Sequence, residues 1–298
     1  MQFFFEVLIA GLLSGVMYAL VALGFVLIFK ASGVFNFAQG AMVFFAALTA
    51  VGLQEKFSLS LWLAVPLTMV VMVALGFLIE RIVLRPLVNQ HDITLFMATI
   101  GLTFFLEGLA QLIWGSNVRR LDLGIPDVPL EFVMEKTGLL VSQFDVIAAG
   151  ICAVMVALLA VLFNKTKIGR ALRAVADDHQ AALSVGIPLQ HVWGIVWAVA
   201  GLVALVAGLL WGSRNGVQFA LTFVALKALP VLIIGGFTSV SGAIVGGLII
   251  GASEKLAEVF IGPYVGGGIE GWFPYVLALL FLLVRPEGLF GEKIIRRI

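Results

Sequence analysis

Apolar residues run along this chain in long blocks, and polar residues collect in the short gaps between them. Blocks at roughly 4–29, 37–53, 60–84, 93–114, 144–163, 192–211, 222–236, 243–261 and 272–285 each predict a helix. Most reach the ~20 residues that an apolar helix needs to cross a bilayer. None alternates apolar and polar positions with a period of two, so barrel strands are not expected. The blocks at 37–53 and 222–236 are shorter and read either as full spans or as half-helices. The pattern predicts an all-α, polytopic transmembrane helical bundle of about eight or nine spans, in one domain covering 1–298. Its longest polar gaps are 115–143 and 164–191.

Composition excludes a soluble globule. Of 298 residues, 62% are hydrophobic and 12% charged, against ~25% charged in ordinary soluble domains. The formal net charge of +1 points to no nucleic acid and to no strongly charged partner. Cys152 is the single cysteine, so no disulfide forms within the chain. The start, Met-Gln-Phe-Phe-Phe-Glu, lacks the basic region of a cleaved signal peptide and reads as the beginning of the first span.

Lys and Arg assign the sides, because cytoplasmic loops carry the excess. With 164–191 inside, the inner side gathers eleven of the 18, including Lys30, Arg81, Arg85, Lys293, Arg296 and Arg297. The outer side holds five: Lys56, Arg119, Arg120, Lys136 and Arg214. The N-terminus is then outside, the C-terminus is cytoplasmic, and 115–143 is an outer loop. That loop, with Pro126, Pro129 and an apolar patch from Gly138 to Val141, reads as a docking surface or as a solvated connector with a short interfacial helix.

The inner loop carries four positive charges, Lys165, Lys167, Arg170 and Arg173, on an Ala-rich stretch that favours helix. Gly186 and Pro188 end that helix. By itself it is either an interfacial amphipathic helix or a surface for a soluble partner.

Two further stretches put glycines and small polar residues at or near membrane depth. One is Gly33-Val34-Phe35-Asn36-Phe37-Ala38-Gln39-Gly40-Ala41, the other Gly235-Gly236-Phe237-Thr238-Ser239-Val240-Ser241-Gly242-Ala243. A shift of 202 residues lays Gly33, Phe35, Gly40 and Ala41 on Gly235, Phe237, Gly242 and Ala243. Asn36 and Gln39 then fall opposite Thr238 and Ser241. Non-helical backbone survives at that depth only when buried in protein or facing a water-filled cavity. Paired interruptions in corresponding halves point to a transport site, here as parallel repeats. Helices starting near Gly40 and Gly242 would offer free backbone N–H groups to a carboxylate. Two tight cytoplasmic turns, which Gly, Asn and Ser also favour, are the alternative. Small-xxx-small pairs, Gly11/Gly15, Gly242/Gly246 and Gly247/Gly251, read as close helix packing.

These motifs carry a resemblance. Asn36-Phe37-Ala38-Gln39-Gly40, Gly169-Arg170-Ala171-Leu172-Arg173-Ala174, Gly235 to Ala243 and Pro286-Glu287-Gly288-Leu289-Phe290-Gly291 stand in the order found in high-affinity branched-chain amino acid permeases. The chain resembles that family, the membrane subunits of binding-protein-dependent ABC importers, almost end to end. It departs at Thr238, where the family has Gly, which bears on the width of the passage. Gln180-Ala181-Ala182-Leu183-Ser184-Val185-Gly186 resembles the Glu-Ala-Ala-x-x-x-Gly loop of ABC-importer permeases, with Gln for Glu. The resemblance implies a passage lined by Asn36, Gln39, Gly40, Thr238, Ser239, Ser241 and Gly242. It implies a coupling surface from Gly169, Arg170, Arg173, Asp177, Gln180, Ala181, Ala182 and Gly186. It also implies two ATP-binding-cassette subunits, a homologous second permease, and a periplasmic substrate-binding protein, in the inner membrane of a bacterium. Relatives carry urea, short amides and other small molecules, so urea or a short amide is the near alternative to an amino acid.

Charges inside the apolar blocks cost at least ~2.5–3.5 kcal/mol at the bilayer centre. Lys227 either snorkels along its own stem or meets a substrate carboxylate. Glu254 and Glu258, one turn apart, line an outer vestibule or anchor at the interface, and Glu107 caps or pairs within the bundle. No enzyme signature is present. There is no Gly-x-x-x-x-Gly-Lys-(Ser/Thr), so ATP and Mg belong to the partner ATPase. His91, His179 and His191 fall in loops with no His/Cys cluster, so no metal site is expected. A secondary transporter or channel is the rival class. It would need coupling-ion carboxylates at mid-span, which are scarce here, and it leaves the inner helix unexplained.

Overall fold

A computed structural model of the chain describes residues 2–87, 90–177 and 179–291. Lys293, Arg296 and Arg297, counted above on the inner side, lie outside the described residues, as do the side chains of Asp177, His179 and Gln180. Every predicted apolar block is helical. In chain order the helices are α1 (Gln2–Ser32), α2 (Gln39–Phe57), α3 (Leu61–Leu78), α4 (Asp92–Trp114), α5 (Glu131–Thr137), α6 (Gln143–Lys165) and α7 (Lys167–Asp177). There follow α8 (His179–Ser184), α9 (Leu189–Asn215), α10 (Val224–Lys227), α11 (Leu229–Gly235), α12 (Val240–Phe260), α13 (Gly262–Val265) and α14 (Phe273–Val284). Among the described residues no strand forms, only the isolated bridges Arg119–Val217 and Pro129–Ser142.

Fewer segments than predicted are long and apolar enough to cross a bilayer. Among the described residues five qualify: Gln2–Ser32, Leu61–Leu87, Ile93–Trp114, Gln143–Lys165 and Leu189–Asn215. Phe219–Gly235 and Val240–Phe260 make a sixth when taken together, bent by 113° at their break. The difference has local causes. α2 carries Gln54-Glu55-Lys56 in its last turn, α11 is seven residues long, and α14 is twelve.

The chain divides into two compact units. One comprises Gly24–Leu123 and Ala157–Ala225, and α2 is its centre. Every residue from Gln39 to Gly52 is buried, as expected of a helix that is apolar or small on all sides. It packs on α3, α4, α9 and the 3-10 turn Phe219–Phe223. Small residues allow the close approach. A Cβ on Gly208 would sit 3.2 Å from the Ala47 amide nitrogen, and a Cβ on Gly201 2.7 Å from the Met72 carbonyl oxygen of α3. Trp114 Nε1 donates to Thr49 Oγ1 at 3.2 Å, which satisfies a polar group on the buried helix. α3 continues through a π turn, Ile79–Leu84, where buried Glu80 meets Arg85 at 3.4 Å.

The other unit comprises Met1–Leu23, Gly124–Val156 and Leu226–Ile298. Its α12 uses two small-residue pairs on two neighbours. Gly242 and Gly246 lie against α11, and Gly247 and Gly251 against the first part of α1. A Cβ on Gly11 would meet the Gly251 carbonyl oxygen at 2.7 Å, so the helices touch backbone to backbone, as such pairs allow. The segment 115–143 forms α5, ended by Gly138 at φ +71°, and Leu140 donates its N–H to Glu6 at 2.9 Å.

Candidate functional site

The first interruption is built by its own side chains. α1 stops at Ser32, and Gly33 turns the chain at φ +71°, a conformation open chiefly to glycine. Asn36 Oδ1 accepts from the Ala38 N–H at 3.0 Å, and Asn36 Nδ2 donates to Gln39 Oε1 at 3.3 Å. An aromatic run fixes the turn from outside. Phe25 stacks on Phe35 at 4.8 Å, Phe37 packs edge-on to Phe35 at 4.9 Å, and Phe96 packs edge-on to Phe37 at 5.0 Å. Thr99 Oγ1 accepts from the Phe37 N–H at 3.3 Å.

Asn36, Gln39 and Gly40 are thus together at the start of α2, and all are buried. Gln39 Nε2 has no hydrogen-bond partner. It lies against Gly24 of α1, where a Cβ would collide with it, so glycine at 24 is what leaves room for this carboxamide.

The second interruption uses different chemistry. α11 ends at Gly235, Gly236 turns at φ +103°, and α12 starts at Val240. Ser239 Oγ accepts from the Gly242 N–H at 3.0 Å, an N-cap. That amide, expected to be free for a carboxylate, is occupied. Ser241 is exposed, its Oγ is 3.0 Å from Ser239 Oγ, and Thr238 is half-buried. The C-terminal motif closes over this turn. Leu289 N–H donates to the Ile234 carbonyl at 2.7 Å and Phe290 N–H to the Gly235 carbonyl at 3.1 Å.

The two turns match only loosely. The gap from α1 to α2 is residues 33–38, and that from α11 to α12 is 236–239, so the second is two residues shorter. Asn36 and Gln39 belong to one compact unit, and Thr238, Ser239 and Ser241 to the other.

In the segment 164–191 the structure separates support from surface. At the corner between α6 and α7, Thr166 Oγ1 accepts from the Gly169 N–H at 3.0 Å, and Arg173 donates to the Phe163 carbonyl. A Cβ on Gly169 would collide with the Leu162 and Phe163 carbonyls. Gly169 and Arg173 therefore turn the corner, and Leu172 and Val175 are buried residues of α7. Arg170, Ala181, Leu183, Ser184, Val185 and Gly186 are exposed, whereas Ala182 is buried. Gly186, at φ +82°, donates to the Leu183 carbonyl at 3.0 Å, and Ile187 to the Ala182 carbonyl at 3.0 Å. This paired closure is a Schellman end, with glycine at its left-handed position.

One cluster escaped the sequence reading. Lys227, at the end of α10, does not simply run outward along its stem. Its Nζ lies 2.9 Å from Glu254 Oε1 on α12. Tyr18 of α1 donates its hydroxyl to the same oxygen at 3.2 Å. Both charges were visible in the sequence, but nothing in their spacing announced a pair. Lys255 meets Glu270 at 2.9 Å, and Glu258 accepts from the Gly268 and Glu270 N–H groups at 2.8 and 2.9 Å. Among the described residues, no group of three or more His, Cys, Asp or Glu is placed to hold a metal ion.

Comparison with known proteins finds matches along nearly the whole chain. The model of the family described as "Branched-chain amino acid transport system / permease component" matches residues 7–285. High-affinity branched-chain amino acid transport system permease protein BraD of Pseudomonas aeruginosa is 26% identical, over 99% of this chain and 98% of that protein. The corresponding protein LivH of Escherichia coli (strain K12) is 28% identical, over 99% and 98%. A probable branched-chain amino acid transport permease protein LivH of Methanocaldococcus jannaschii is 28% identical, over 91% and 88%. Among solved structures, a chain of PsaBC from Streptococcus pneumoniae in complex with Fab aligns over 92% of this chain and 89% of that one, with 15% identity and a TM-score of 0.48.

Proposed function

The chain belongs to the family of branched-chain amino acid transport system permease components, and on that premise we propose that it is the permease subunit of a bacterial ABC importer for branched-chain or other small amino acids. The observation that carries this reading is the extent of the match, residues 7–285 for the family and 99% of the chain for BraD and LivH.

In this reading 1–298 is one transmembrane permease domain in the bacterial inner membrane, with the N-terminus outside and the C-terminus cytoplasmic. It makes eight or nine crossings if α2, α11 and α14 each contribute one, and its interrupted helices are parallel repeats. Asn36, Gln39, Gly40, Thr238, Ser239, Ser241 and Gly242 line the passage. Uncharged amides and hydroxyls suit a path that must release what it binds.

A partner ATPase holds ATP and Mg and docks on the inner loop 164–191. Exposed Arg170, Ala181 and Gly186 form the surface. Gly169, Arg173 and Ala182 support it, and Asp177 and Gln180 complete it. The full importer has two ATP-binding-cassette subunits and a homologous second permease. A periplasmic binding protein delivers substrate to the outer side, where loop 115–143 lies. The test is reconstitution with those partners in proteoliposomes. Uptake of labelled L-leucine, L-isoleucine or L-valine is expected to need both ATP and loaded binding protein. A complex that hydrolyses ATP but imports no small amino acid would overturn the reading.

A further inference from the structure

We propose that Lys227 and Glu254 form a site that takes the two charged ends of a zwitterionic substrate, and that it selects an amino acid over an uncharged amide. This rests on the importer reading above and names the substrate class of that importer.

The geometry has three parts. Glu254 is 1% exposed, and its Oε1 accepts from both Lys227 Nζ, at 2.9 Å, and the Tyr18 hydroxyl, at 3.2 Å. Its Oε2 is buried and has no hydrogen-bond partner. Lys227 keeps 29% of its side chain accessible. It stands where the helix breaks, with α10 ending at Lys227 and α11 starting at Leu229.

An unpaired buried carboxylate oxygen is unfavourable and calls for a donor. When the site is empty, Lys227 and Glu254 neutralise each other, so no lone charge is left in the membrane. A zwitterion can trade partners with this pair. Its ammonium donates to Glu254 Oε2, and its carboxylate accepts from Lys227 on the accessible side. Charge-assisted hydrogen bonds are made on both sides, and the total charge stays at zero throughout. Such an exchange binds without a deep trap, which transit requires. Tyr18 holds Oε1 in place and leaves Oε2 for the substrate. Urea or a short amide has no charge to trade, so it cannot compete with the pair already formed.

The experiment uses the full importer in proteoliposomes, with labelled L-leucine and its uncharged relative isovaleramide. Lys227→Met and Glu254→Gln are each expected to lower L-leucine uptake about tenfold, the scale of one charged hydrogen bond. Because a half-broken buried pair also destabilises the fold, the deciding variant is the double replacement Lys227→Met/Glu254→Leu. Replacing both charges by apolar groups of similar size is often neutral for stability. It is expected to assemble and hydrolyse ATP normally, to lose L-leucine uptake, and to narrow or abolish the preference for leucine over isovaleramide. L-Leucine uptake at the wild-type rate in this variant would reduce the pair to a brace and overturn the proposal. A wild-type importer that carries isovaleramide but no amino acid would instead overturn the amino-acid reading, and this site with it.

Discussion

Phe290 donates its backbone N–H to the carbonyl of Gly235 at 3.1 Å, joining the last sequence motif to the second interrupted helix. The approach is close because Gly236 and Gly288 face each other, both at positive φ. A Cβ on Gly288 would lie 2.8 Å from the Gly236 nitrogen.

Gly288→Val should therefore destabilise the protein by about 2 kcal/mol, from left-handed strain and the collision together. Thermal unfolding in detergent reads this. An unchanged melting temperature would mean that the C-terminal motif does not clamp the turn.

The Schellman end of α8 separates strain from docking. Gly186→Leu puts a bulky side chain at φ +82° on an exposed turn where a Cβ meets nothing within 4 Å. Membrane levels should stay normal while ATP-driven uptake is lost. Gly186→Asn tolerates the left-handed conformation and should retain more coupling. If the Leu variant transports normally and still co-purifies with its ATPase, the docking role of this loop is wrong.

Sidedness is tested with cysteines in a Cys152→Ala background. Ser116→Cys, exposed after α4, should react with an impermeant thiol reagent from outside, and Ser184→Cys, exposed on α8, should not. The reverse labelling pattern would invert the topology.

The two interruptions should answer differently to substitution. Asn36→Leu strips the buried Ala38 amide of its acceptor and is expected to cost about 1–3 kcal/mol, so stability and uptake should fall together. Ser241→Leu changes an exposed position, leaves the Ser239 cap on the Gly242 N–H in place, and should alter stability by less than about 0.5 kcal/mol. Its uptake should nevertheless drop, with ATPase assembly intact. Unchanged uptake in Ser241→Leu would remove the second turn from the passage.

The helices of this protein were legible in its sequence because a helix is a local object. Each block of apolar residues closes its own i to i−4 hydrogen bonds, and lipid leaves the backbone few other choices. Gly186 could be read as a helix stop for the same reason, since its left-handed turn satisfies carbonyls only a few residues away. The family motifs were legible as strings, but their roles were not. Gly169 and Arg173 turned out to hold a corner, and Arg170 between them faces outward. What tertiary structure alone decided is which face of each helix meets which neighbour. A helix has several faces, and sequence periodicity names a buried face without naming its partner. So Gly242 and Gly246 meet α11 while Gly247 and Gly251 meet α1, Gly24 makes room for Gln39, and Gly288 closes on Gly236 from 52 residues away. Lys227 and Glu254 follow the same rule. They stand 27 residues apart in sequence and meet at 2.9 Å only in the folded chain, where burial of Glu254 makes a partner necessary.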